Sequence, residues 1–339
     1  MTKLLPLQDL LDIEFEGEWR ADLATITGLR SNQQISMLIE RLVWEELGQE
    51  IRGALFAEKS VGAVFGLELS SGEWVVLKLF CPSQLLTQLV AVHRCLNVVV
   101  QSGFPAPPPR SRLFQTEDGI TGIFYTFMAG TVRNAHEPIV RQELARLLAE
   151  LTSILGHENP TGLPLAPTRG NELWSASHRS FLKLDEDPEA QWIDEIARRT
   201  QAVIRAKALP LMPAHLDWGV KNCRFHQDRV CVVYDWDSLF AASEAEMVGR
   251  AAAQFTAQWD FPAPLTPSPA EASAFIVEYE TTRRRPFSDD ERVVLAASAD
   301  YAIAQNARLE FASGIPPNNG FLALLQSWSS DSLLEAFTD

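Results

Sequence analysis

The stretch "HLDWGVKNCRFHQDRVCVVYDWD", residues 215–237, decides how the chain is read. Its second half carries a buried-strand signature, Cys-Val-Val-Tyr at 231–234, that ends in two aspartates flanking Trp236. Its first half sets His215, Asp217 and Asn222 within one short loop. An unpaired charge against a hydrophobic strand is costly, so these groups need something to neutralise them. Read as a hairpin turning at Asp228-Arg229, the segment pairs position 222 with position 235. Opposed residues on antiparallel strands lie about 4.5–5.5 Å apart, which predicts that Asn222 and Asp235 meet at the open end of the ribbon. A carboxylate beside an amide oxygen is hard-oxygen chemistry suited to Mg2+, which is usually held by few carboxylates together with substrate phosphates. Asp217, just before Asn222 on the entering loop, is placed to take a proton from a hydroxyl nucleophile. His215 is placed to orient that loop through a backbone hydrogen bond.

His-x-Asp followed by Asn, with a further Asp beyond a strand, is the spacing of a kinase catalytic loop and its metal ligand. Such a site needs a strand lysine for the nucleotide phosphates, and WVVLKLF (74–80) supplies Lys78 between apolar neighbours. A lysine there is unusual without a partner. EKSVGAVFG (58–66) lies where a phosphate-covering hairpin would sit; it offers Ser60, Gly62 and Gly66 but no G-x-G-x-x-G.

Working outward, the order of elements divides the chain. A helical pattern over 33–51 precedes β-rich runs at FGLEL and WVVLKLF, joined by Ser70-Ser71-Gly72-Glu73, a hairpin signal. Residues 83–101 read as a helix. PAPPP at 105–109 is extended, because each proline restricts its predecessor. GIFYTFMAG (122–130) is a further strand, after which helical periodicity dominates. The expectation is an α+β architecture with three segments. Residues 1–52 form an N-terminal extension and helix, 53–128 a small β-rich nucleotide-binding lobe, and 129–339 a larger, mainly helical catalytic and acceptor-binding lobe. Residues 1–30 give no assignable pattern.

The 339 residues carry 44 acidic against 29 basic side chains, a net charge of −15. That balance argues against nucleic-acid or anionic-membrane partners, whose phosphates are met by Lys and Arg. The N-terminus lacks the pattern of a signal peptide, and no apolar run approaches the roughly 18 residues of a membrane span. Four cysteines without CxxC spacing suit reduced thiols in a cytoplasm.

The motifs together resemble the aminoglycoside phosphotransferase/choline kinase family, from about Gly53 to Phe311: VVLK, SGFPAPPP, FYTFMAG, HLDWGVKN and VVYDWD. The resemblance implies a bilobal protein-kinase-like fold. It also implies a phosphotransferase that moves the γ-phosphoryl group of ATP (or GTP), with Mg2+, to a hydroxyl of a small metabolite or antibiotic. Carried over residue by residue, Asp217 is the base, Asn222 and Asp235 the metal ligands, and Lys78 the phosphate contact, with Ser60 beside the nucleotide. Backbone near Thr126 and Met128 takes the adenine. Acceptor contacts are expected from Asp237, Glu244 and Trp236, a mix of acid and aromatic that suits an amine-bearing acceptor. Aminoglycoside, amino-sugar, choline-like and amino-alcohol acceptors stay open. Trp259 and Glu278 are further candidates for the acceptor lining, set against a reading of Trp259, at the end of a helical pattern, as core and of Glu278 as a solvated helix face.

Two departures stand out. Kinases pair the strand lysine with a helix glutamate, yet 84–101 contains neither Glu nor Asp. Leu216 stands where relatives have glycine, and ASEAEMVGRAAAQF follows the Asp-Trp. The first departure motivates a rival reading, a catalytically weak, pseudokinase-like nucleotide-binding or scaffold protein. A protein kinase fits poorly, since 235–244 leaves no room for a long activation loop. A metal-dependent phosphoesterase needs more ligands than these. The sequence does not fix the oligomeric state.

Overall fold

The computed structural model describes residues 4–14, 18–59, 62–174, 184, 187–259, 261–314 and 320–327. The chain forms two compact units, Met1–His93 with Pro107–Ala129, and Arg94–Ala106 with Gly130–Asp339. The sequence division was contiguous; here the first unit takes in the N-terminal extension, and 94–106 belongs to the second.

The first unit opens with helices α1 (Leu7–Glu14), α2 (Glu18–Thr27) and α3 (Asn32–Leu47). Ser31 caps α3 by accepting from the Gln34 amide, and Gly48, in the left-handed region at φ 66°, ends it. Strands β1 (Ile51–Lys59), β2 (Ala63–Leu69) and β3 (Trp74–Leu79) follow, then the first half of α4 (Leu86–Gln101), which continues into the second unit, and β4 (Phe114–Gln115) and β5 (Thr121–Thr126). They make one sheet in the order β1-β2-β3-β5-β4, with antiparallel pairing throughout. Alternation along β3 sends Val75, Leu77 and Leu79 into a core shared with Leu11, Ile35, Ile39 and Phe65. Trp74, Val76 and Lys78 therefore point to the opposite face. The unassigned N-terminal residues serve the first face: Leu5 bridges to Ala54, and Leu7, Leu10, Leu11, Leu23 and Ile26 are buried. Burying each such side chain stabilises by about 1.5–3 kcal/mol, so the extension is part of the core.

The second unit holds α5 (Pro138–Leu155), α6 (Gln191–Ala206), the strand pairs β6 (Met212–His215) with β9 (Leu239–Ala242) and β7 (Cys223–His226) with β8 (Arg229–Val233), and helices α7 (Glu244–Gln254), α8 (Pro269–Arg283), α9 (Asp289–Ala312) and α10 (Phe321–Ser327). Capping boxes start α7, α8 and α9: Ser243 with Glu246, Ser268 with Glu271, and Ser288 with Glu291. Gly249 lets α7 press on α9, because a Cβ there would fall 2.1 Å from the Leu295 carbonyl oxygen. That close packing fixes the helix from which the loop at 216–222 is held.

Candidate active site

The second unit brings the motif residues together through backbone as much as side chain. The Leu216 amide donates to the Ser238 carbonyl at 3.1 Å, continuing the β6–β9 pairing. The Leu216 carbonyl accepts from Arg250 Nε and from Gln254 Nε2, each at 3.1 Å. Both donors come from α7 and both are buried. Burial pushes the Arg250 guanidinium below its ordinary range, and its Nη2 donates to Gln305 at 3.0 Å. Leu216, the departure from the family's glycine, thus presents a clamped carbonyl with a buried side chain.

Next along the loop, the Asp217 carboxylate pairs with Lys221 Nζ at 2.8 Å and accepts from Asn222 Nδ2 at 3.1 Å. Asn222 Nδ2 also donates to the Asp217 carbonyl at 2.7 Å. With its amide nitrogen committed to Asp217, Asn222 keeps its oxygen for another ligand. The Asp217 side chain is 30% exposed, enough to meet a substrate.

Tyr234 joins this loop to Asp235. Its amide donates to the Asn222 carbonyl at 2.7 Å, and its carbonyl accepts from His215 Nε2 at 3.2 Å. His215 is fully buried between the edges of Trp218 and Trp236, at ring distances of 5.8 and 5.7 Å. Asp235 follows with φ 62° and ψ 45°, a left-handed conformation costing a non-glycine residue roughly 1–2 kcal/mol. Its carboxylate accepts from Ser238 Oγ at 2.8 Å.

The expected register needs correcting. The β7–β8 loop is Gln227-Asp228, with Gln227 at φ 57°, and a bulge falls between Arg224 and Phe225. Cys223 therefore pairs with Val233, and Asn222 meets Tyr234, not Asp235. An earlier turn and one extra residue shift the ladder, leaving Asp235 just beyond it.

Among the expected acceptor residues, Trp236 is buried, with its indole N–H donated to the Val233 carbonyl at 2.8 Å. Glu244 accepts from the Tyr279 hydroxyl at 2.5 Å and pairs with Arg283 at 2.6 Å. Those contacts give both residues structural work. Asp237 lies in the short 3-10 turn after Asp235. The reading of Trp259 as core is overturned: α7 ends at Gln254, so Trp259 falls in a turn, 70% exposed, with Lys221 Nζ 5.8 Å from its ring centre. Glu278 is no solvated face either, since it pairs with Arg141 at 2.9 Å.

In the first unit Lys78 is buried on β3, opposite Ile123 of β5, with its Nζ 5.9 Å from the Phe80 ring centre. Thr126 ends β5 and lines a cleft of about 500 Å3 together with Glu73, Trp74, Arg110, Phe127 and Ala129. The Thr126 amide donates to the Pro108 carbonyl and the Phe127 amide to that of Trp74; Met128 follows. Ser60 lies outside the described residues.

Sequence reasoning passed over Lys221, although it sits one helical turn from Asp217 inside the motif. It also passed over Arg250 and Gln254, whose signal is two polar residues in an alanine-rich helix. No group of three or more His, Cys, Asp or Glu suited to a metal occurs among the described residues. A cation at Asp235 and Asn222 would therefore complete its shell with water and ligand phosphates, as Mg2+ does. The donor set fits such an ion.

Residues 63–287 match the model of the phosphotransferase enzyme family, APH, and the chain belongs to that family. Its fold is that of the protein-kinase-like phosphotransferases. An amicoumacin kinase bound to AMP-PNP and Ca2+ is similar over 89% of this chain and 91% of its own, with TM-score 0.60 and 13% identity. The ethanolamine kinase of Plasmodium vivax is similar over 94% and 91%, with TM-score 0.55 and 14% identity. Spectinomycin phosphotransferase in complex with ADP and spectinomycin is similar over 89% and 97%, with TM-score 0.53 and 13% identity. Comparison with curated sequences returned no significant match.

Proposed function

We propose that this protein transfers the γ-phosphoryl group of ATP, or GTP, to a hydroxyl of a small acceptor. The observation that carries the reading is the Asp217–Asn222 pair joined to Asp235 through the Tyr234 peptide. Phosphoryl transfer asks the protein chiefly to position groups and to oppose developing charge. Asp217, oriented by Lys221 and Asn222, accepts the proton of the acceptor hydroxyl. Asn222 and Asp235 hold the Mg2+, which when bound neutralises charge on the nucleotide phosphates. Lys78 meets the phosphates, and Thr126 and Met128 lie where the base is held.

On the acceptor side the reading takes in Asp237 and Trp259. An exposed ring beside Lys221, the partner of Asp217, together with the acid Asp237, favours an amine-bearing acceptor, such as an amino sugar, an aminoglycoside or an amino alcohol. The weak-binder alternative keeps one supporting observation: α4 carries no carboxylate.

An ATP-consumption screen over hydroxylated amines, sugars and antibiotics, with Mg2+ present and then chelated, tests the assignment. Turnover that depends on one acceptor class, on the metal and on Asp217 is expected. Nucleotide binding without turnover across the whole panel would favour the scaffold reading.

A further inference from the structure

The loop that carries Asp217 and the chain that leaves α7 meet in one place. The Val220 amide donates to the Phe255 carbonyl at 2.9 Å, and Gly219 lies so close that a Cβ there would fall 3.3 Å from the Gln254 carbonyl oxygen. The 3-10 turn Val220–Asn222 then sets Lys221 beside the segment that follows Phe255. That segment is anchored. Thr256, Ala257 and Gln258 are buried, Thr256 Oγ1 donates to the Leu265 carbonyl at 3.0 Å, and Gln258 Nε2 donates to that of Arg133 at 2.9 Å. Trp259, the next residue, is left 70% exposed. A large ring held out of the core by an ordered turn gains little from burial. What the ring meets is Lys221, whose Nζ lies 5.8 Å from its centre and 2.8 Å from the Asp217 carboxylate. One ammonium thus has a carboxylate and an aromatic face, the two kinds of group that recognise an alkylammonium ligand.

We propose that Lys221 stands in for the ammonium of the acceptor: it fills the place beside Asp217 and Trp259 and yields it to an amine-bearing acceptor. The proposal rests on the phosphotransferase reading, which makes Asp217 the group that the acceptor meets. Two like charges repel at that distance, so the amine enters as the lysine leaves. The lysine is held lightly. The side chains of Lys221 and Asp217 are 31% and 30% exposed, so water and salt weaken the pair. The ring contact is of the same modest size. The backbone need not follow the side chain, because the Lys221 carbonyl accepts from Arg224 Nη1 at 3.2 Å. Asp217 keeps both of its bonds from Asn222 Nδ2. The incoming ammonium then holds the carboxylate as Lys221 did, and the charge beside the base is unchanged. An acceptor without an amine has no such exchange to make and meets Lys221 in place. Lys221 is therefore the specificity-determining residue on the acceptor side.

The probe is ethylammonium chloride, titrated into the nucleotide-free protein and read by NMR at the Trp259 indole N–H signal, identified as the one that Trp259→Phe lacks. Saturable movement of that signal is expected, with a midpoint about tenfold lower in Lys221→Met, the size of one exposed ion pair and one ring contact together. Lys221→Gln should shift the midpoint the same way if Lys221→Met folds poorly. An unshifted or higher midpoint in the variants, or movement that sodium chloride reproduces at the same ionic strength, overturns the proposal. Turnover gives a second test with acceptors found by the screen. In Lys221→Met the KM of an amine-bearing acceptor should fall about tenfold relative to that of an acceptor without an amine. A merely structural lysine would move both acceptors alike, and that result overturns the proposal. The titration needs neither nucleotide nor turnover. A screen silent for every acceptor therefore removes the phosphotransferase reading and leaves the titration to decide this inference.

Discussion

The acidic loop of the second unit and the lysine face of the first solve the same problem by opposite means. Around Asp217 nearly every polar atom is fixed by another: Leu216 by Arg250 and Gln254, Asp217 by Lys221 and Asn222, and Asn222 by Tyr234. On the Lys78 face, Phe80 lies under the ammonium, and Phe80, His93 and Tyr125 stack or meet edge-on. A group that must accept a proton at a set position gains from directional hydrogen bonds. A cation set in an apolar strand gains from ring contacts that hold its position. The units differ in chemistry because their charges are asked for different things.

The largest expected effect breaks the first half of that contrast. Asp217→Asn keeps the hydrogen-bonding outline and removes the base. Its kcat should fall by about 10²–10⁴, while Mg·ATP affinity measured by calorimetry stays near the parent's.

The contrast sharpens with pH. Burial, and then the positive charge of Lys78, give His93 a folded pKa of about 4, below its ordinary 6.5. The unfolded chain then binds the extra proton, and the first unit loses stability as pH falls from 6.5 to 4, by about 3 kcal/mol in all. Asp300 on α9 has the opposite sign. Fully buried, and with neither carboxylate oxygen hydrogen-bonded among the described residues, it is pushed by burial up to about 7 despite Arg199. Its folded form holds the proton longer, so the second unit loses stability as pH rises from 3.8 to 7, by about 4 kcal/mol. Hydrogen exchange at pH 7 and at pH 5 should show protection falling in β3 and β5 on acidification and rising in α9. Parallel changes in both units would contradict these assignments. Asp300→Asn should flatten the slope in α9 alone.

Arg250→Met removes a buried donor from Leu216 and from Gln305. It should cost about 2–3 kcal/mol in a denaturant titration and lower kcat without moving the KM for ATP. The smallest effect belongs to the exposed ring. Trp259→Ala should leave stability within about 0.5 kcal/mol and raise the acceptor KM a few-fold, with the nucleotide KM unchanged.

Legibility followed sequence distance. His215, Asp217, Asn222 and Asp235 lie within one short span, so their spacing alone announced a site. Lys78 declared itself by standing in an apolar strand; the order of β-rich and helical runs made the α+β division readable, and the kinase-like fold followed from the family resemblance of the motifs. The register of β7 and β8 was not readable, because a bulge depends on twist and packing that the residue pattern does not encode. Trp259 was misplaced because nothing in EAEMVGRAAAQFTAQW marks Gln254 as the last helical residue. Nothing in the sequence of α4 marks His93 as packed against Tyr125. A neutral ring reaching Tyr125 over 32 positions carries no motif. At the N-terminus α1 does carry a helical spacing, Leu7, Leu10 and Leu11, but over only eight residues, and the core those side chains join gives that short pattern its meaning.

The join between Asn222 and Asp235 runs through the peptide groups of residue 234, whatever side chain stands there. Drift at this position would leave the join whole, with proline alone forbidden because it has no N–H to offer. A column of mismatched letters at 234 in related chains would therefore hide one of the most constrained spots in the molecule.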